Sequence, residues 1–513
     1  MMGTMSSEAD TLQPDACYLA LKARDARFDG RLFVGVTSTG VYCRPICRVR
    51  MPARRNCRFF ASPAQAEAAS FRPCLKCRPE IAPGPGLAWT VMDASRTLAL
   101  QAASALDDFA ARGDAPSVAD VAARLGVSDR HLRRIFFAEH GVTPLQYLQT
   151  RRLLLAKQLL TDTQLPISQI ALTSGFRSLR RFNAAFLGGY RMNPTRLRRT
   201  APRGEDAPGS PPRKIRAARL AAGEAITVQL AYRAPLDVDA LLAFIAARAI
   251  PGIEVVAGRT IRRTVAAGAL AESAGWLEAR FADDVARVQL AFSPALGAAS
   301  GTVIAATRRW LDLDAAPATI AETLADLPGA PGIRLAGSVD AFELAVRAIL
   351  GQQVTVAAAR TLARRVVERF GAPVATPWAG VDRAFPRPAD LAAPPIERVA
   401  ELGIIRSRVA AIQSLASQWD AIAPLLAPGA SPEALVARLC EVPGIGPWTA
   451  HYIAMRGLGW PDAFPPGDVA AAKAMRALFD IATAREVAAH AERWRPWRGY
   501  ALLRLWNSLG VSP

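Results

Sequence analysis

Residues 442–468 read VPGIGPWTAHYIAMRGLGWPDAFPPGD, and this stretch decides the class of the C-terminal portion of the chain. Pro443-Gly444-Ile445-Gly446-Pro447 is a short turn between two helical patterns. Residues 433–440 lead in, and residues 448–456 lead out with Ala450, Ile453 and Ala454 on one face. Gly444 and Gly446 permit a tight turn whose backbone approaches a ligand closely. Successive N–H groups beside a helix N-terminus suit a phosphate. The turn Pro465-Pro466-Gly467 then presents Asp468 at the start of another helix, over residues 469–479. A phosphate-gripping hairpin, aromatic residues and one carboxylate form a coherent site for chemistry on a nucleotide. Two plainer readings stand beside this one. Such a hairpin also serves DNA binding without catalysis, and Asp is a favoured helix N-cap.

The chain has 513 residues, too many for one core, and three to five domains are expected. Its net charge of +19 is uneven. Residues 1–200 hold 29 Lys and Arg against 15 Asp and Glu, an excess of 14, which leaves 5 for the remaining 313 residues. A basic N-terminal portion implies a polyanionic partner, most simply double-stranded DNA. The start, MMGTMSSEAD, has no apolar signal core, and the longest apolar run, residues 240–250, is too short to span a membrane and contains Arg248. A cytoplasmic, nucleoid-associated protein without a membrane partner is expected.

Seven cysteines, four of them clustered, fit a reducing compartment better than a disulfide scaffold. Cys43 and Cys47 form a C-x3-C pair in VYCRPICR, and Cys74 and Cys77 a C-x2-C pair in FRPCLKCRP, with 26 residues between the pairs. This spacing suits one tetrahedral zinc ion per chain with four thiolates. Cys17 and Cys57 lie outside the pattern and read as ordinary thiols.

Residues 83–85 read as a hinge. Residues 88–200 contain two helix-turn-helix patterns. In the first, Val118, Val121, Ala122 and Leu125 form an apolar face, Gly126 breaks the helix and Ser128 caps the next, which exposes Arg130, Arg133 and Arg134. In the second, Ile167, Ile170 and Ala171 precede Gly175. The following helix buries Leu179, Phe182 and Phe186 and exposes Arg177, Arg180 and Arg181. A long helix over residues 144–160 joins the two units, so that two recognition helices can enter successive major grooves. Residues 201–213 are rich in Pro and Gly and read as a flexible linker. Strand patterns over 225–232, 259–266 and 287–292 and a helix over 238–248 follow. From Gly332 the pattern is helical to the end.

The hairpin PGIGPWTA, the spacing to Asp468 and the closing RWRPWRGYALLRLW (residues 493–506) resemble the helix-hairpin-helix DNA glycosylases of the AlkA type. That resemblance implies removal of alkylated purines such as 3-methyladenine, which leave readily because they carry positive charge. It implies Asp468 as the carboxylate opposing the sugar cation, Trp448, Tyr452 and Trp506 as the aromatic pocket, and Gly444 and Gly446 as the backbone grip on DNA. In Gly351-Gln352-Gln353 the family's wedge position is Gln353, where the AlkA pattern has Leu. The lyase lysine of other members is replaced by Trp448, so strand cleavage is not expected. The last cysteine is Cys440, so no iron–sulfur cluster is expected.

Two further resemblances complete the chain. LFVGVTSTGVYCRPICR followed by FRPCLKCRPE is similar to the zinc domain of the Ada family, which repairs methylphosphotriesters. This implies Cys43 as the methyl acceptor, with Arg44, Arg48 and Arg72 placed to contact the DNA backbone. Residues 88–200, down to GYRMNPTRLRR, are similar to the AraC family of activators, which implies promoter DNA and RNA polymerase as partners. The expected architecture is multidomain and mainly α: a zinc-bound α/β domain (1–85), a double helix-turn-helix bundle (86–200), a linker (201–213), an α+β domain (214–331) and an all-α helix-hairpin-helix glycosylase domain (332–513). The rival reading is a regulator whose glycosylase portion only grips DNA. The linker's composition also implies that the two halves separate as independent units.

Overall fold

The computed structural model describes residues 13–86, 94–200, 225–481 and 483–510. The N-terminal domain begins with helix α1 (Pro14–Ala23) and carries a four-stranded sheet. Its strands are β1 (Phe33–Val36), β2 (Val41–Cys43), β3 (Cys57–Phe60) and β4 (Arg72–Pro73), in the order β3-β1-β2-β4, with helix α2 (Pro63–Ala68) after β3. β2 and β4 run parallel, so the two cysteine pairs leave the sheet at the same end. Phe33, Tyr42, Phe60 and Phe71 fill the space between the sheet and α2.

The helix-turn-helix region comprises α3 (Ala94–Arg112), α4 (Val118–Arg124), α5 (Asp129–His140), α6 (Pro144–Asp162), α7 (Ile167–Thr173), α8 (Leu179–Tyr190) and α9 (Pro194–Thr200). Local chemistry fixes these helices. Ser117 with Asp120 and Thr143 with Gln146 form capping boxes, and the Ser128 and Ser178 hydroxyls accept from the first turns of α5 and α8. Leu132, Ile135 and Phe136 of α5 are buried, as are Phe182 and Phe186 of α8. Leu179, expected inside, is 46% exposed. It is the first residue of its helix, where the apolar period does not yet face the core.

The linker expected at 201–213, and the domain start at Lys214, lie outside the described residues. The next domain holds a five-stranded antiparallel sheet, order β5-β9-β8-β7-β6. The strands are β5 (Ile226–Ala231), β6 (Glu254–Ala257), β7 (Thr260–Val265), β8 (Gly275–Phe281) and β9 (Arg287–Phe292). Helix α10 (Val238–Arg248) follows β5, and α11 (Ser300–Trp310) follows β9. β6 and β8 were not legible in the sequence. From residue 332 the chain forms helices around one apolar core that includes Phe342, Ile349, Ile453, Trp494 and Leu505.

The halves on either side of residues 201–224 do not stand apart. Leu153, Leu160, Ile170 and Phe186 share one continuous core with Val228, Leu290, Phe292 and Val303. Each such side chain contributes about 1.5–3 kcal/mol when fully buried. Gln158 Nε2 donates to the Gln229 carbonyl at 2.9 Å. α11 packs so tightly on α3 that a Cβ on Gly301 would lie 2.2 Å from the Ala111 carbonyl oxygen. The guanidinium of Arg233, 2% exposed, donates to the carbonyls of Asp29 (2.8 Å), Asp314 (2.7 Å) and Gly84. The segment 83–85, expected to be a hinge, is therefore a clasp. The Asp314 carboxylate accepts from the Gly84 N–H at 2.5 Å, and the Pro85 carbonyl accepts from Arg31. The expectation of separable halves rested on the composition of the connecting segment, which says nothing about what the flanking helices pack against.

Candidate functional site

Helix Pro432–Cys440 and helix Pro447–Gly457 flank the hairpin. Gly444 has φ +87°, the left-handed conformation that Gly tolerates, and a Cβ there would lie 2.7 Å from that of Ala411. Gly446 is the N-cap of the second helix, with open space around its Cα. Both glycines are exposed, so the backbone at this helix N-terminus is open to an anion. Gln352 braces the turn: its Nε2 donates to the Gly444 carbonyl at 3.0 Å and to Thr449 Oγ1 at 3.1 Å.

Asp468 is 8% exposed and caps helix Val469–Phe479 through Oδ1, which accepts from Ala471 N at 2.7 Å. The same Oδ1 accepts from Nε1 of Trp506 at 3.1 Å, and Oδ2 accepts from Nε1 of Trp448 at 2.8 Å. Three N–H donors thus fix the carboxylate, and Oδ2 keeps the larger share of free lone-pair capacity. A cap alone needs one donor; two indoles on the same carboxylate point to a group held for another purpose.

The carboxylate opens on a cavity of about 920 Å³ between the hairpin domain and the α+β domain. Trp448, Tyr452, Trp506 and Gln353 all line it. Trp448 and Tyr452 stack, with centroids 5.3 Å apart and planes 10° from parallel. An inserted ring would need about 7 Å, two contacts of ~3.5 Å, so no base fits between them. Burial alone would raise the Tyr452 phenol, but the guanidiniums of Arg456, Arg248 and Arg347 outweigh it and hold the phenol below its ordinary value. Gln353 is exposed with φ +54° on the loop between Leu350 and Val356, at the rim of the cavity.

Comparison with known proteins covers almost the whole chain. Residues 16–80 match the metal binding domain of Ada, 121–200 a helix-turn-helix domain, 227–340 the AlkA N-terminal domain and 346–498 the HhH-GPD superfamily of base excision DNA repair proteins. The "Probable bifunctional transcriptional activator/DNA repair enzyme AlkA" of Mycobacterium tuberculosis is 36% identical over 510 residues, 96% of each chain. The chain belongs to this family of bifunctional AlkA-type activators and repair enzymes. DNA-3-methyladenine glycosylase 2 of Escherichia coli is 36% identical over 288 residues, 55% of this chain and 98% of that one. The structure of the 3-methyladenine DNA glycosylase from Archaeoglobus fulgidus covers 55% of this chain and 99% of its own, at 21% identity and a TM-score of 0.46.

In this AlkA-type protein the second cluster of chemistry lies at the end of β2. The sulfurs of Cys43, Cys47, Cys74 and Cys77 all lie within 4.8 Å of one another. Zinc bound tetrahedrally at ~2.3 Å from each sulfur needs S···S separations of about 3.8 Å, so the set fits that ion. Crowding divides the thiols. Hydrogen bonding to Cys47 raises Cys43 and burial raises Cys77, whereas hydrogen bonding to Cys43 lowers both Cys47 and Cys74. Four such groups ionise together only around a cation. Cys43 and Cys47 also line a cavity of about 30 Å³ with Leu21, Val34, Val49 and Met51.

The arginines expected at the DNA backbone divide. Arg48 is exposed and Arg72 half-buried. Arg44 is not at the surface: it is 2% exposed, its guanidinium grips both oxygens of the Asp29 carboxylate, and Nη1 donates to the Cys77 carbonyl at 3.1 Å. Its role is to hold the cysteine loops, because the chain turns inward after β2. Arg130, Arg133 and Arg134 on α5, and Arg177, Arg180 and Arg181 at the start of α8, are exposed. Arg133 pairs with Asp129 at 2.8 Å. Among the described residues no helix is long and apolar enough to cross a membrane.

Sequence reasoning missed several members of the site. Gln352 carried no signal beyond its place beside Gln353. Val354, Ile405 and Val469 are 37%, 56% and 81% exposed around the cavity. Apolar residues at helix starts look like core in a sequence.

Proposed function

We propose that the C-terminal half hydrolyses the N-glycosidic bond of alkylated purines such as 3-methyladenine, with Asp468 as the catalytic carboxylate. The observation that carries this is the carboxylate held by Trp448, Trp506 and the Ala471 amide in the lining of the cavity. The target nucleotide leaves the stack, with Gln353 filling the gap and the exposed turn at Gly444 and Gly446 gripping the backbone. The C1′–N bond breaks, its electron pair leaves with the base, and water adds to C1′ and gives up a proton. The charge on Asp468 opposes the positive charge that develops on the sugar, a preorganised contact worth on the order of 3 kcal/mol. Trp448, Tyr452 and Trp506 supply the aromatic surface that favours electron-poor bases. Single-turnover release of 3-methyladenine from methylated duplex tests the reading. Tight binding to such DNA without release of any base would favour a domain that only grips DNA.

In the first half, Cys43 is the methyl acceptor for DNA methylphosphotriesters, held with Cys47, Cys74 and Cys77 around zinc. The support is the cluster geometry and the cavity beside Cys43 and Cys47. Zinc, when bound, would keep the thiolates ionised at neutral pH. Methylation removes one negative charge, which weakens repulsion from DNA phosphate, while Arg48 and Arg72 contact the backbone. The exposed arginines of α5 and α8 place the protein on its promoter, where it engages RNA polymerase as an activator. Mass spectrometry after exposure to methylphosphotriester DNA should place the methyl group on Cys43, and metal analysis should find one zinc per chain. A methyl group on Cys47, or on no cysteine, overturns the assignment.

A further inference from the structure

The cavity beside Asp468 is larger than its proposed task. At about 920 Å³ it lies near the top of the ~300–1,000 Å³ range that encloses whole drug-sized ligands, so one flipped base leaves much of it unfilled. One part of its lining is aromatic and carries Asp468. The adjoining part of the lining is basic, with Arg248 from α10, Arg263 from β7, Arg347 from helix Ala341–Leu350 and Arg456 from the hairpin's second helix, whose guanidinium carbon lies 5.1 Å from the Tyr452 ring centroid.

Two of these four guanidiniums are neutralised. Arg263 pairs with Glu254 (3.2 Å) and Glu343 (2.6 Å), and Arg347 pairs with Glu343 (2.7 Å). Arg248 and Arg456 have no carboxylate partner among the described residues. Both guanidinium carbons lie within 4.4 Å of the centroid of the Phe244 ring, so two like charges share one patch. Burial, with Arg456 and Arg347 beside it, pulls the Arg248 guanidinium down to about 10, against the opposing effect of Tyr452. Arg456 is 3% exposed. Its Nη1 donates to the Ala336 carbonyl at 2.7 Å, but its Nε and Nη2 are buried with no hydrogen-bond partner. The Tyr452 phenol, which despite burial Arg456 and Arg248 hold below its ordinary value, is their polar neighbour; neither guanidinium has a carboxylate among the described residues, and a guanidinium edge matches the two oxygens of one.

A ligand that satisfies both parts of this lining has a cationic ring and an anionic tail. A purine alkylated at a ring nitrogen supplies the cation, and an alkyl group ending in a carboxylate supplies the anion. We propose that the basic part of this lining is a subsite for acidic alkyl adducts, in which the carboxylate of a carboxymethylated purine docks on Arg248 and Arg456 while the ring lies against the adjoining aromatic residues. This rests on the glycosylase reading above. The reaction is the same hydrolysis, and the adduct leaves unaltered on its base.

The test uses the full-length protein and duplex DNA alkylated in three ways: with a methylating agent, with a diazoacetate (carboxymethyl) and with a haloacetamide (the neutral carbamoylmethyl isostere). Released bases are quantified by chromatography. The wild type should release the carboxymethyl base with a kcat/KM about tenfold or more above that of the carbamoylmethyl base, the worth of a charge-assisted contact. Arg456→Met and Arg248→Met should each bring that ratio close to one. The wild-type comparison needs no variant, so it stands even if one of them folds poorly. Release of methylated purine with equal handling of the two larger adducts overturns the subsite reading alone. So does a preference that survives both substitutions. Release of no base at all overturns the glycosylase reading and this inference with it.

Discussion

Nε1 of Trp448 donates to Oδ2 of Asp468 at 2.8 Å, while its ring stacks on Tyr452 at 5.3 Å. One side chain therefore serves two purposes, and a single substitution separates them. Trp448→Phe keeps an aromatic face for Tyr452 and for a base but leaves Oδ2 without its donor. A hydrogen bond to a charged group contributes about 1.5–3 kcal/mol, so the excision rate should fall ten- to a hundredfold. Trp506→Phe removes a donor from Oδ1, which still accepts from Ala471 N, and should cost less. The measurement is single-turnover excision beside a DNA-binding titration. Equal losses for both variants, or a loss confined to binding, would show that the indoles matter for packing and not for orienting the carboxylate.

The interface between the halves makes a second prediction. A protease site inserted between residues 203 and 211 should allow the chain to be cut without the pieces parting on size exclusion. The shared core and the buried Arg233 hold them. Arg233→Ala would strand the Asp29, Gly84 and Asp314 carbonyls, each lost bond costing about 1–3 kcal/mol. The cut variant should then dissociate at concentrations where the cut wild type does not. Spontaneous separation of the cut wild type would restore the view of two independent halves.

What the sequence conveyed follows from how local each feature is. The four cysteines lie in two short segments whose spacing implies a metal, and the structure brings their sulfurs together. The capping residues Ser117, Ser128, Thr143 and Ser178 act within three residues of themselves, so the helices they start were legible. Arg44 was misjudged because an arginine beside a cysteine pair looks alike whether it faces phosphate or Asp29. α6 is apolar on several sides, which signals burial but not by which partner. The basic lining of the cavity was invisible for the same reason. Arg248, Arg347 and Arg456 come from segments about a hundred residues apart and meet only in the folded chain.

Acidity offers a separate handle. Asp340, 9% exposed, caps helix Ala341–Leu350 by accepting from Phe342 N at 2.8 Å and Glu343 N at 3.1 Å. Burial pushes its carboxyl up to about 6, the charge of Glu343 adds to this, and the cap bonds and Arg263 oppose it. An acid whose folded value lies above the unfolded ~3.9 adds its full stability below pH ~4 and loses it as pH rises toward 6. A shift of about 2 units corresponds to on the order of 3 kcal/mol. Asp340→Asn keeps the cap acceptor without the charge. It should melt with the wild type near pH 4 and above it at pH 8. Identical melting at both values would show that Asp340 is neutralised by other means.

Asp468→Asn is the decisive substitution for the catalytic reading. The amide oxygen can still accept from Ala471 N, so the cap survives. The amide nitrogen cannot accept, however, and it must face one indole N–H, most simply that of Trp448 on Oδ2. The geometry therefore predicts a small loss of stability, about 1–2 kcal/mol, from one missing bond. Folding and DNA affinity should otherwise persist, and removing a negative charge should slightly strengthen binding to phosphate. Excision should fall at least a hundredfold, because only a carboxylate carries the charge that opposes the sugar cation, a contact worth on the order of 3 kcal/mol or more. The measurements are thermal melting, a DNA titration and single-turnover release of 3-methyladenine. A variant that melts slightly early yet excises within a few-fold of wild type would make Asp468 a cap bonded to two tryptophans, with the catalytic group elsewhere in the cavity.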